Sequence, residues 1–145
     1  MAHLSDPTVR VVVVTAPAGY GKSSHVATAV RADRRQTAWI DIEPRHDDAS
    51  TLLQEIVAAL HVVGGLDPTK VPTSLGGPDP KVTGVASALG RAVRSCREPF
   101  VLVIDDVHLL TSTAALDTVE AVASNVPSGS LLVGVGRSCA WEAIA

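Results

Sequence analysis

A lysine and two serines follow closely spaced glycines near the start of the chain, in the stretch Ala-Pro-Ala-Gly-Tyr-Gly-Lys-Ser-Ser at residues 16–24. Glycine at positions 19 and 21 lets the backbone approach a ligand closely, because glycine carries no Cβ. The ammonium group of Lys22 can pair with the oxygens of β- and γ-phosphates, and the hydroxyl of Ser23 can ligate Mg²⁺. This order of residue types predicts a loop that binds phosphate.

The candidate phosphate-binding residues form one continuous segment. We assign cofactor binding to Ala18, Gly19, Tyr20, Gly21, Lys22, Ser23 and Ser24. Ala16 occupies the first position of the loop pattern and is expected to shape the turn without touching phosphate. The alternative is a glycine-rich turn with an exposed lysine, and it is the weaker one because the segment lies where a strand ends and a helix begins.

Two adjacent carboxylates follow an apolar run later in the chain, where Phe-Val-Leu-Val-Ile at residues 100–104 precedes Asp105 and Asp106. Asp105 is the predicted metal ligand, together with Ser23, because Mg²⁺ prefers oxygen ligands. Asp106 is the predicted catalytic group that accepts a proton from an attacking water or orients it. An acidic turn after a strand is common by itself, and the glycine-rich loop upstream favours the metal interpretation.

A cation follows the last predicted strand. Arg137 comes directly after Gly-Val-Gly at residues 134–136 and is a candidate catalytic residue that senses a γ-phosphate. The competing interpretation is an arginine that is merely solvated, and the residues alone leave both open.

Alternating strands and helices position these candidate residues. Apolar runs without polar alternation predict strands buried on both faces over residues 9–15, 36–42, 99–105 and 130–136. Apolar periodicity predicts helices over about residues 21–32, 49–62, 82–96 and 113–124. The alternation predicts an α/β fold with a doubly wound, mainly parallel sheet. The glycine-rich loop then lies at the end of the first strand, where such sheets bind ligands.

Two other segments have structural interpretations. Residues 62–81 contain four prolines and four glycines, and we expect a flexible surface insertion there. His46, Asp47 and Asp48 could suggest a metal cluster, but Asp48 precedes a helical pattern and is better interpreted as the cap of that helix.

Composition narrows the classes of function. The chain has 145 residues, 46% of them hydrophobic, and a formal net charge of -3. These values indicate one packed domain without the basic field of a nucleic-acid binder. We expect no membrane association and a cytoplasmic location, because no apolar run reaches the length of a membrane span and the first residues do not resemble a signal peptide.

The segments at residues 16–24, 39–60 and 101–110 together resemble the nucleotide-binding domain of STAND-type ATPases, specifically the MalT-like, large LuxR-type transcriptional regulators. The resemblance spans about residues 9–138. It implies a P-loop NTPase three-layer sandwich that binds ATP and ADP with Mg²⁺, hydrolyses ATP slowly and self-associates in response to nucleotide. The family's motifs correspond to Gly19, Gly21, Lys22, Ser23, Asp105, Asp106, His108 and Arg137.

The sequence departs from that family at both ends. We expect four core strands without the family's last strand and lid, which would leave the phosphate-loop strand at an exposed edge open to pairing with another chain. DNA binding is expected only through a carboxyl-terminal domain that is absent from this chain. A P-loop small-molecule kinase and a non-hydrolysing nucleotide-binding interaction module remain as alternatives.

Overall fold

Helices separate the successive strands of the described chain, with one helix in the first and last connections and two in the middle connection. The computed structural model describes residues 8–15, 22–71 and 82–137. The elements are β1 (Val11–Thr15), α1 (Lys22–Arg31), β2 (Gln36–Asp41), α2 (Ala49–Gly64), α3 (Val82–Arg94), β3 (Phe100–Asp105), α4 (Thr113–Ala123) and β4 (Leu131–Gly136). Short 3₁₀ turns lie at Pro44–Asp47, Pro68–Lys70 and Val107–Leu109. None of the helices in the described ranges is both long and apolar enough to cross a membrane.

The four strands form one parallel sheet in the order β1-β4-β3-β2. The strand β1 therefore pairs with β4, the last strand in the described sequence, and β3 lies between β4 and β2. Parallel neighbours require a crossover, and the helices between the strands provide it. The predicted α/β fold with a parallel sheet is confirmed.

Helices cover both faces of the sheet, because side chains of a strand alternate between the two faces. On β3, Phe100, Leu102 and Ile104 pack with the apolar faces of α2, α3 and α4. The intervening Val101 and Val103 pack on the opposite face with residues of α1. The result is a three-layer α/β/α arrangement with one described helix on one side and three on the other.

The inner and outer strands differ in burial. Every residue of β3 and β4 is buried, as predicted for strands covered on both faces. The prediction of full burial is wrong for β1 and β2, most of whose residues are only half-buried. These two strands lie at the edges of the described sheet, where a neighbouring strand covers one side only.

The predicted insertion begins later than expected. Residues 62–64 belong to α2, which ends at Gly65 in the left-handed conformation with φ 70°. Leu66 and Val71 are both buried in the core on the α2 side, so a purely surface location is wrong for this part of the segment. Residues 72–81 lie outside the described residues, and flexibility of the segment stays a prediction.

Candidate functional site

The carboxyl ends of all four strands lie along one edge of the sheet. Thr15, the last residue of β1, pairs in register with Gly136, the last residue of β4. Asp105 at the end of β3 pairs with Val135 on one side and with Asp41 on the other. The helix α1, the next described element after β1, begins with Lys22. Ligands of open parallel sheets bind at this kind of edge.

The candidate phosphate-binding residues lie partly outside the described residues, namely Ala18, Gly19, Tyr20 and Gly21. Lys22 and Ser23 begin α1, as the predicted loop-to-helix transition requires, although their side chains are outside the described part of the chain. Ser24 is exposed on the same first turn. Phosphate binding by this segment therefore remains a prediction, whereas the position of the helix start is a structural finding.

Asp105 presents a nearly buried carboxylate at the sheet edge, with 6% of the residue exposed. One carboxylate oxygen accepts the backbone N–H of Asp106 at 2.8 Å. Its main-chain carbonyl accepts the N–H of Ile42 at 3.0 Å, which extends the pairing of β3 and β2 by one bond. Every second residue of a strand lies on the same face of the sheet, so Asp105 shares a face with Val103 and Val101. This is the face that α1 covers.

Asp105 has the burial and the type of oxygen ligand that its predicted Mg²⁺ role requires, and that role stays a prediction. None of the ion pairs formed among the described side chains includes Asp105. A buried carboxylate is costly unless a cation or hydrogen-bond donors compensate it, and oxygen atoms of this type are preferred ligands of Mg²⁺. Asp105, and Ser23 at the start of the helix on the same face, are the residues that would hold Mg²⁺.

Asp106 has an unusual backbone conformation, with φ 61° and ψ 38°. It is the single non-glycine residue with a positive φ in the described ranges. Aspartate tolerates this left-handed conformation better than most residues, although the conformation still costs about 1 kcal/mol. The carbonyl of Asp106 accepts the N–H of Leu109 at 3.0 Å. Asp106 therefore lies between the last residue of β3 and the 3₁₀ turn Val107–Leu109, and it is the N-cap of that turn.

Arg137 lies directly after β4 and is exposed. No ion pair among the described side chains involves its guanidinium group. Its backbone N–H donates a hydrogen bond of 3.2 Å to Nδ1 of His108. Arg137 therefore lies close to the turn that carries Asp106, at the end of the neighbouring strand.

Gly136 allows the close approach of His108. A Cβ at position 136 would lie 3.0 Å from Nδ1 of His108 and 3.1 Å from Cγ2 of Val107. Side chains rarely approach so closely, and glycine is the residue that fits without displacing the turn. No pattern in the sequence predicted a contact of His108. The glycine at position 136, at the end of the strand, was the one available sign of a close approach there.

A second contact that the sequence analysis missed joins two loops at this edge. The carboxylate of Asp47 accepts the backbone N–H groups of Thr111 and Ser112, each at 2.8 Å. The hydroxyl of Ser112 donates in return to the carbonyl of Asp47 at 2.7 Å. These donors hold the pKa of Asp47 below its usual value, with the Ser112 N–H contributing most. The loop after β2 is thereby fastened to the start of α4.

The segment before α2 is held by a buried histidine. Nδ1 of His46 accepts the N–H of Glu43 at 2.9 Å, and Nε2 lies 3.0 Å from a carboxylate oxygen of Glu55. The contact with His46, followed by the hydrogen bond from Arg45, lowers the pKa of Glu55. Asp48 accepts the N–H of Thr51 and caps α2, which confirms the structural interpretation of that residue.

These features define a class of protein. A parallel sheet in the order β1-β4-β3-β2, with a helix that begins at Lys22 after β1 and with Asp105 and Asp106 at the carboxyl end of β3, is the architecture of a P-loop NTPase. The chain matches the family model described as the AAA ATPase domain over residues 2–133, and it belongs to that family of nucleotide-binding ATPase domains.

Proposed function

We propose that the protein binds ATP together with Mg²⁺ and serves as the nucleotide-dependent switch of a LuxR-type transcriptional regulator in the cytoplasm. Membership of the AAA ATPase domain family supports nucleotide binding. The resemblance of residues 16–24, 39–60 and 101–110 to STAND-type regulators supports the more specific role.

The observation that carries the proposal is the register of Asp105 and Val135 on adjacent strands. This register brings the carboxylate pair, Arg137 and the end of β1 to one edge of the sheet. The unpaired N–H groups at the start of α1 suit phosphate, because the helix dipole is positive there. In this proposal, Lys22 binds the β- and γ-phosphates, and Ser23 and Asp105 hold Mg²⁺.

Hydrolysis requires a group that acts on water, and the proposal assigns that role to Asp106. When bound, Mg²⁺ neutralises negative charge on the phosphates. Asp106 accepts a proton from the attacking water or orients it, and its left-handed backbone turns the chain away from the strand direction at that point. Arg137 distinguishes ATP from ADP through its charge.

The switch is proposed to operate through self-association. The edge strand β1 is half-buried and pairs only with β4 within the described sheet. An unpaired strand edge is a template for pairing with another chain. The net charge of -3 favours assigning DNA contacts to a different domain of the regulator.

Titration calorimetry with Mg²⁺-ATP tests nucleotide binding directly. We expect Lys22→Ala to weaken binding at least about tenfold, because the variant loses a charge-assisted contact to phosphate. Lys70→Ala is the matched control, since Lys70 lies in the exposed 3₁₀ turn Pro68–Lys70 and should leave the affinity unchanged. Equal affinities of the wild-type protein and Lys22→Ala would refute the site.

Light scattering with ATP, ADP and no nucleotide tests the switch separately. The proposal expects a larger mass with ATP than with ADP. Binding of ATP without any change in mass would refute the switch and leave a nucleotide-binding interaction module, whereas transfer of the γ-phosphate to a small molecule would indicate a kinase.

A further inference from the structure

We propose that His108 is a positioning residue that couples Arg137 to the turn carrying Asp106. The inference rests on the proposed function, because it assigns to His108 a part in distinguishing ATP from ADP. The observation behind it is the hydrogen bond of 3.2 Å from the backbone N–H of Arg137 to Nδ1 of His108.

This bond lies beyond the end of the sheet. The register of β3 and β4 ends with the pair of Asp105 and Val135. The chain of β3 then enters the left-handed turn at Asp106, where the backbone can no longer pair with β4 in strand geometry. The ring of His108 restores a direct connection between the two strands at the level of Arg137. His108 therefore connects the turn of Asp106 with Arg137 beyond the hydrogen bonds of the β-ladder.

The half-buried ring packs against the end of β4. Val107 is fully buried beside it, and the N–H of Leu110 donates to the carbonyl of Val107 at 3.0 Å. On the other side, a Cβ at Gly136 would come within 3.0 Å of Nδ1. The turn, the ring and the end of β4 are thus packed so closely that a shift of one displaces the others.

The direction of the hydrogen bond defines what the ring must supply. A backbone N–H donates, so Nδ1 must be an acceptor without a proton. Asparagine can place its amide oxygen where Nδ1 lies, because both atoms are bonded to Cγ. Glutamine extends one atom further and places its oxygen nearer to the position of Nε2. His108→Asn and His108→Gln are therefore a matched pair that separates the Nδ1 contact from the general presence of a polar side chain.

The affinity ratio of ATP to ADP, measured with a fluorescent nucleotide in competition, tests the coupling. We expect Arg137→Ala to lower this ratio about tenfold, since it removes one charge-assisted contact. His108→Ala and His108→Gln should lower the ratio to a similar extent, and His108→Asn should keep it within about threefold of wild type. Thermal melting establishes that each variant is folded.

The double variant His108→Ala/Arg137→Ala separates coupling from independent effects. If His108 acts through Arg137, the double variant has the same ratio as Arg137→Ala alone, because effects within one network are not additive. A ratio reduced by the product of the two single effects would overturn the inference, and so would a wild-type ratio in a folded His108→Ala protein.

Failure of the site and failure of the coupling have different signatures. Unchanged affinity in Lys22→Ala removes the nucleotide site itself and the inference with it. If Lys22→Ala weakens ATP binding as expected but Arg137→Ala leaves the affinity ratio of ATP to ADP unchanged, the nucleotide site stands and the role of His108 is overturned.

Discussion

The carboxylate of Asp47 lies 2.8 Å from the backbone nitrogen of Ser112, across 65 positions of sequence. Ser112 is also the N-cap of α4, where its hydroxyl accepts the N–H of Ala115. One acidic side chain after β2 is therefore bonded to the start of α4, in the same connection between β3 and α4 that begins with the turn of Asp106. The loops that border the candidate site are fastened to each other and not only to the sheet.

Removal of the Asp47 carboxylate should loosen this connection. We expect Asp47→Ala to lower the melting temperature by a few degrees, because two backbone N–H groups at the start of α4 lose their acceptor. Asp47→Asn retains one acceptor oxygen and should lie between Asp47→Ala and the wild-type protein. Circular dichroism at 222 nm measures the transition. An unchanged melting temperature in Asp47→Ala would show that water replaces the carboxylate without loss.

Stability should decrease at acid pH, for a reason that four carboxyl groups share. Contacts with Arg35, the Ser112 N–H, His46 and Thr69 hold the pKa values of Asp33, Asp47, Glu55 and Asp67, respectively, below their usual values of 3.8 for aspartate and 4.5 for glutamate. Each group is thus more acidic in the folded chain than in the unfolded one. Its contribution to the stability of the folded chain is complete at pH values above its pKa in the unfolded chain. This contribution is lost as the pH falls through its pKa in the folded chain.

Melting temperatures measured between about pH 7 and pH 3 test this sign. We expect a nearly constant melting temperature above about pH 5 and a progressive fall below about pH 4. The Asp47→Ala variant should show a shallower fall, because one of the four groups is missing. A melting temperature that rises on acidification would contradict the assignment.

The two adjacent aspartates should have separable effects. Asp105→Asn should weaken binding of ATP at least about tenfold with Mg²⁺ and leave binding unchanged in the presence of a chelator, since the variant removes a metal ligand. Asp106→Asn should keep the affinity within about threefold and slow release of phosphate about 100-fold, because it removes a group that acts on water. Equal loss of binding in both variants would reassign Asp106 to the metal.

The sequence was sufficient to predict the burial of the inner strands of the sheet and insufficient to predict the burial of its edge strands. The apolar run of β3 indicates a strand covered on both faces, and it is buried throughout. The run of valines in β1 has the same pattern, yet β1 is half-buried, because its place at the edge depends on the order of pairing and not on its own residues. Burial of an edge strand is a property of the topology.

The candidate site shows the same division between local and distant information. The carboxylates at the end of β3 and the arginine after β4 were predicted as site residues from residue type and position alone, and their roles stay predictions. The contacts of Asp47 with Ser112 and of His108 with Arg137 join residues 65 and 29 positions apart, and neither leaves a periodic signal in the sequence. The left-handed backbone of Asp106 was equally invisible, since aspartate adopts several conformations at the end of a strand.

Two glycines of α3 provide a test of packing within one helix. An ideal Cβ at Gly84 meets nothing within 4 Å, so Gly84→Ala should raise the free energy of unfolding by about 0.5–1 kcal/mol. A Cβ at Gly90 would lie 2.5 Å from Nδ2 of Asn125. This Nδ2 donates a hydrogen bond to the carbonyl of Ala121, and Oδ1 of the same side chain accepts one from Arg94.

Gly90→Ala should therefore lower the free energy of unfolding by about 1 kcal/mol, because the loss of these hydrogen bonds outweighs the helical preference of alanine. Urea unfolding of the two variants provides the comparison, with each serving as the control for the other. Equal stabilisation by both substitutions would show that Asn125 moves aside at no cost.

Within the described sheet, β1 has a neighbouring strand on one side only. The pairs from Val11 with Leu132 to Thr15 with Gly136 are the whole of its described ladder, whereas β3 is paired on both sides. Local unfolding of β1 therefore breaks fewer bonds than that of any inner strand. A nucleotide that binds only when β1 is docked opposes this opening by about 2.7 kcal/mol at 100 times its Kd. Occupancy of the site and amide hydrogen exchange along β1 thus become two measures of one equilibrium.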